Sequence, residues 1–145
     1  MIETTTELMR SMAMSKMRSL ESVGMAMDMT ALQEAIDVCS TCMQACTMCS
    51  DAMGAMEGMG VCASRCATCA DVCGTTMRML MRPAGMERMA MIAMLEACVA
   101  MCAACMAECR MHAEMSATCA MCADACEACD AACSRLLVSM TADAV

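Results

Sequence analysis

Four groups of cysteines, spaced alternately three and four residues apart, constrain this chain more than any other feature. They are Cys39, Cys42, Cys46 and Cys49; Cys62, Cys66, Cys69 and Cys73; Cys98, Cys102, Cys105 and Cys109; and Cys119, Cys122, Cys126, Cys129 and Cys133. Alternation of three and four is the period of one face of a packed helix. Each group is therefore a stripe of thiols on one helix. Four such helices can hide their stripes only by turning them toward each other. Sulfur takes the positions usually given to Leu and Val, and so many soft donors in one interior point to metal.

Breakers and caps place the elements. Residues 4–22 read as a separate first helix, opened by Thr4 with Glu7, and a joint follows around Gly24. Thr30 and Gln33 form a second capping box that opens the first cysteine helix, roughly 31–53. Gly54, Gly58 and Gly60 make a turn, and the second helix follows to about 81. Pro83 breaks the chain over 82–85. The third helix runs over 86–112, and a tight turn over 113–116 ends on Ser116 as N-cap. The fourth runs over 117–138. Short connections make consecutive helices antiparallel. The expected fold is all-α: an up-down-up-down four-helix bundle with a cysteine-lined core, plus an additional N-terminal helix. Residues 1–30 form the Met-rich helix and joint, and 31–145 the bundle.

Composition narrows the function. The chain has 145 residues, enough for one core, and no aromatic residue, so its 26 Met and many Ala supply the remaining packing. Met is pliable and specifies a core poorly, which leaves bound metal as a candidate to fix the interior. A net charge of −8 argues against nucleic acid. Charged residues are 18% of the chain, so Met- and Ala-covered outer faces are expected to pack on other subunits. Charges break the apolar runs short of the ~18 residues of a membrane span, and none is expected. An odd cysteine count at helical spacing opposes a disulfide scaffold. Neighbours on a helix sit about 5–6 Å apart, whereas a disulfide wants Cβ atoms about 3.5–4.5 Å apart. The start Met1-Ile2-Glu3 carries no signal peptide or twin Arg, and a reducing cytosol is the expected location.

The stripes extend past their cysteines, and the two ends differ. At one end lie Met53, Met56, Met59, His112 and Met115, whose thioether and imidazole groups ligate soft metals. An N-terminal helix antiparallel to its neighbour would add Met9, Met12 and Met14 there. At the other end lie Leu32, Ala35, Thr76, Leu80, Met91, Leu95, Leu136 and Met140, a mostly aliphatic plug. The expected interior is a tube of thiols, closed by hydrocarbon and opened by Met and His.

Charge selects among soft ions. Four thiolates around Zn(II) leave a net −2, costly to stack in a dry core. Cu(I) takes two or three ligands, and one thiolate can bridge two ions. At one Cu(I) per thiolate the filled core is neutral, as is the protonated core, with thiols near pKa ~8.5. Loading then exchanges one proton for one copper, at about one ion per cysteine.

With these four in-phase stripes, residues 30–138 resemble the bacterial copper storage proteins. That resemblance implies a four-helix bundle filled with Cu(I)-thiolate sites, metal admitted at the end with His112 and the Met cluster, and a cytosolic member forming tetramers of bundles. All seventeen cysteines are the expected ligands. Copper ions, with a copper chaperone or copper-requiring enzyme, are the expected partners. The alternatives are an iron–sulfur protein, which needs isolated groups of four thiolates, and a zinc buffer or thiol redox protein. One His and no triad or phosphate loop argue against an enzyme.

Overall fold

A computed structural model of the chain describes residues 28–142, together with Arg10, Ser11, Met12 and Met14. Each cysteine stripe lies on its own long helix: α1 (Met29–Gly54), α2 (Gly60–Leu80), α3 (Arg88–Arg110) and α4 (Ala117–Thr141). A single 3-10 turn, Pro83–Gly85, joins α2 to α3. α1 packs along α2 and α4, and α3 packs along the same two helices. This is the expected up-down-up-down bundle. Of the helix expected over 4–22, Arg10, Ser11, Met12 and Met14 are helical and exposed, and the rest lies outside the described residues.

Local chemistry sets the helix ends, and it corrects expectations for α1, α3 and α4. α1 is capped by Asp28, not by the Thr30–Gln33 box. The Asp28 carboxylate accepts from the backbone N–H of Thr30 and Ala31, at 2.9 and 3.2 Å. A charged oxygen there satisfies two free donors and complements the helix dipole. Gln33 instead donates to Asp37 Oδ1. Asp28→Ala is expected to cost about 1 kcal/mol in urea unfolding and to leave the cysteine core intact. α3 starts at Arg88, two residues later than expected, because the proline turn runs on and Glu87 caps Ala90 N–H. α3 also stops at Arg110, so His112 sits in the following turn, not on the helix. Ser116 caps α4 as expected, accepting from Cys119 N–H at 3.2 Å. α4 runs on to Thr141 because buried Leu136 and Met140 continue its stripe.

The closed end is as read from the sequence. Leu32, Ala35, Thr76, Leu80, Met91, Leu95, Leu136 and Met140 are each 2% exposed or less. Thr76, the polar member, returns its hydroxyl to Val72 O at 2.7 Å. Gly74 lets α1 close on α2: a Cβ at that position would lie 2.9 Å from Met43 Sδ. Gly58, at φ 81°, turns the chain between α1 and α2 in a conformation other residues rarely adopt.

One helix among the described residues, α3, is long and apolar enough to cross a membrane by length and composition. The charges expected to interrupt its run reduce to Glu96 between Arg88 and Glu108. Its inner face is the cysteine stripe, and its outer face exposes Met89, Ala93, Ala97, Ala100 and Ala104. Apolar character on both faces raises the hydropathy of a helix whose sulfur side is enclosed by α2 and α4.

Candidate metal centre

All seventeen cysteines are free, and each is at most 1% exposed. The four stripes meet on the bundle axis as a stack of sulfur. From the closed end, Cys39 lies 3.6 Å from both Cys129 and Cys133, and Cys73 lies 3.9 Å from Cys98 and 3.7 Å from Cys102. In the middle, Cys126 lies 3.7 Å from Cys42, 3.8 Å from Cys46 and 4.0 Å from Cys69. Further along, Cys122 lies 3.5 Å from Cys46 and 3.8 Å from Cys66, and Cys66 lies 3.5 Å from Cys109. At the open end Cys119 lies 3.7 Å from Cys49 and 4.0 Å from Cys62.

These distances suit ligands that share ions. Metal–thiolate bonds are about 2.3 Å long, so sulfurs around one ion stand about 3.8 Å apart in a tetrahedron and about 4.6 Å apart in a line. Several sets of four thiols lie within 4.8 Å of one another. Cys42, Cys46, Cys69 and Cys126 form one set; Cys46, Cys105, Cys122 and Cys126 form the next; Cys49, Cys66, Cys109 and Cys122 lie toward the mouth. Neighbouring sets share members. The stack is therefore a run of overlapping sites, unlike the isolated groups an iron–sulfur cluster requires.

Burial holds thiols protonated. The Cys49 thiol is pushed up to about 12, first by burial and then by its hydrogen bond with Cys119. Cys62 is raised by burial first and by the charge of Cys119 second. Deeper in, S–H···S contacts divide the thiols. Cys102 sits among neighbours it can donate to, and hydrogen bonding with it is the leading cause that lowers Cys42, Cys69 and Cys98. Cys69 comes down to about 6. Cys102 itself is raised, with its contact to Cys126 the leading cause. A donated S–H stabilises the acceptor as thiolate and keeps the donor protonated.

The open end holds fewer of the candidate side groups than its sequence register suggests. Met53 is 2% exposed, and its Sδ accepts from Cys119 Sγ at 3.5 Å. It is thus part of the sulfur stack. Met59 is half-buried against the core. Met56 and Met115 are 44% and 68% exposed and stand on the rim. His112 is mostly buried in the α3–α4 turn, with Nε2 3.3 Å from Glu108 Oε1. The other oxygen of Glu108 pairs with Arg65 of α2 at 3.2 Å. The sequence reading named neither Glu108 nor Arg65. The four-residue step from Glu108 to His112 could have flagged the first. No local signal flags Arg65, which is brought in by the packing of α2 on α3.

Comparison with known proteins places this geometry. The sequence model of the family described as copper storage protein matches residues 28–138. Among solved structures, a copper storage protein from Streptomyces lividans loaded with 10 copper equivalents is 38% identical, with a TM-score of 0.76. The match covers 79% of this chain and 89% of that one. A histidine-to-alanine mutant of the Streptomyces lividans protein is also 38% identical with a TM-score of 0.76, covering 79% of this chain and 98% of that one. A third structure, of copper loading to a cytosolic copper storage protein from Streptomyces lividans with five coppers, is 39% identical at a TM-score of 0.73. That match covers 75% of this chain and 93% of the other. A search of curated proteins returned no match.

Proposed function

Because this chain belongs to the copper storage protein family, we propose that it holds Cu(I) in bulk on thiolates lining the bundle, at about one ion per cysteine. The observation that carries this reading is the stack of seventeen buried free thiols, most of them grouped in sets of four. Such a lining has no use for one metal ion and every use for many. One monovalent ion per thiolate leaves the dry core neutral, whereas tetrathiolate Zn(II) sites would accumulate negative charge there.

Copper is taken to enter at the end carrying His112 and Met53. The imidazole and thioether are neutral ligands that need lose no proton to hold a soft ion when His112 is unprotonated. Met59 lies beside them, and Met56 and Met115 on the rim are the outermost candidates. From Met53 an ion passes to Cys119 and then by ligand exchange along the stack. The aliphatic plug closes the far end. No step in storage requires bond-making on a substrate, and no catalytic role is assigned.

Free thiols in this number persist only under reducing conditions, which favours a cytosolic location. The ion would be exchanged with a copper chaperone or a copper-requiring enzyme. The exposed Met and Ala face of α3 favours self-association, with a tetramer the state that the sequence resemblance implies.

Anaerobic titration of the reduced protein with Cu(I) tests the reading. Saturation is expected near seventeen equivalents, one for each cysteine. Saturation at three or four, or displacement of bound copper by equimolar Zn(II), would overturn it. Brown colour with visible absorbance in the protein as isolated would favour the iron–sulfur alternative.

A further inference from the structure

At the mouth, three side chains from α2, α3 and the turn after α3 make a relay that the thiol stack does not need. Arg65, on α2, directs its guanidinium to Glu108 Oε2 at 3.2 Å, and Glu108 Oε1 meets His112 Nε2 at 3.3 Å. The Glu108 side chain is 12% exposed and that of His112 16%, while Arg65 stands half in solvent at 48%. Each carboxylate oxygen thus has its own partner. Arg65 precedes Cys66 and Glu108 precedes Cys109, and those two thiols meet at 3.5 Å beneath the relay. The backbone of His112 is pinned as well. Its N–H donates to Cys109 O at 3.0 Å, and its carbonyl accepts from Met115 and Ser116 N–H, both at 3.0 Å.

A carboxylate only accepts hydrogen bonds, so in the neutral ring Nε2 carries the proton and Nδ1 is left with the lone pair. Imidazoles that bind metal commonly give their other N–H to a carboxylate, which fixes the tautomer and strengthens the donor nitrogen. We propose that Glu108, held in place by Arg65, is the positioning residue that sets His112 as an Nδ1 ligand for incoming Cu(I). This rests on the reading of His112 as a mouth ligand. An ordinary surface ion pair would contribute little and would have no bearing on copper. Here the carboxylate is largely enclosed and divides its two oxygens between a clamp and a ligand, which makes it specific to the imidazole.

The chain has a single histidine, so 15N NMR of its imidazole reports the tautomer directly. The wild type is expected to show the Nε2–H form, and Glu108→Ala a mixture. The functional test is stopped-flow uptake of substoichiometric Cu(I) from a weak chelator, with capacity and thermal unfolding measured alongside. His112→Ala is expected to slow the first phase about tenfold, and Glu108→Ala to do nearly the same, with capacity changed by at most about one ion. Glu108→Gln keeps an acceptor oxygen and is expected to recover most of the rate. In a His112→Ala background, Glu108→Ala is expected to add nothing, because it acts through the ring. Should Glu108→Ala fold poorly, Glu108→Gln and Arg65→Met carry the test, Arg65→Met being expected to slow uptake less than His112→Ala. A slow His112→Ala beside a Glu108→Ala of wild-type rate would overturn the positioning role alone. So would an equal loss from Glu108→Ala with and without His112. A His112→Ala variant of wild-type rate would overturn the reading of the mouth and this proposal with it.

Discussion

Filling the mouth thiols of the reduced protein with Cu(I) at pH 7 is expected to release about one proton per ion bound, counted in a pH-stat. The thiols nearest the mouth start protonated, since burial first and Cys119 second push Cys49 up to about 12 and burial raises Cys62. A thiolate must form before it can hold copper, so each ion displaces a proton and apparent affinity climbs about tenfold per pH unit per ion. Competition with a chelator of known affinity between pH 6 and 8 measures that slope. A slope near zero would mean that the core is already ionised. The same groups set an alkaline limit on the copper-free protein. Below the unfolded pKa of ~8.5 both states keep the Cys49 proton, and stability is whole. Between that value and about 12 the unfolded chain releases the proton and the folded chain does not, so stability falls as pH rises. Thermal unfolding of the copper-free protein is expected at a lower temperature at pH 10 than at pH 8. Copper-loaded protein, with its thiolates already formed, is expected to lose far less.

The second large effect concerns the middle of the stack. At separations of 4.0 Å or less, Cys126 is the sulfur that joins the mouth-side thiols, through Cys42 and Cys46, to Cys69 and the deep thiols. Beyond it lie Cys39, Cys69, Cys73, Cys98, Cys102, Cys129 and Cys133, linked among themselves. If ions move by ligand exchange, Cys126→Ala removes the main stepping stone while deleting only one ligand. Uptake is then expected to split into two phases, the mouth-side thiols filling at the normal rate. The deep set should fill about tenfold more slowly, which corresponds to about 1.4 kcal/mol of added barrier. Final capacity should fall by about one ion. Cys42 and Cys46 also stay within 4.8 Å of Cys69, and they provide a second route. Cys42→Ala added to Cys126→Ala is expected to slow the deep phase further. Single-phase filling in both variants would show that copper reaches the interior by another route.

The two effects differ in how far they could be read from the chain. Proton-for-copper exchange follows from seventeen thiols on inward faces, and those faces follow from the spacing alone. The special place of Cys126 does not. Its contacts to Cys42 and Cys69 join residues 84 and 57 positions apart, and they depend on how far each helix slides along its neighbour. The same holds at the mouth. Met53, Met56 and Met115 all extend stripes in register, yet Met53 alone of the three is buried, against Cys119, while the other two face solvent where the helices fray into turns. Asp28 displaced Thr30 as the cap of α1 because a carboxylate can serve two N–H groups at once, a choice that residue pattern left open.

The sequence by itself determined four helices, the face each turns inward, the aliphatic closed end and the ion class that suits the interior. All of these depend on neighbours three or four residues apart, and helical geometry fixes such neighbours without reference to the rest of the chain. The tertiary structure decided which thiols meet, that Cys126 stands closest between the two halves of the stack, and that Arg65 reaches Glu108 to hold the only histidine. Those outcomes depend on turn lengths and on the packing of one helix against another. A stripe can record which residues face inward, but not what they find opposite them.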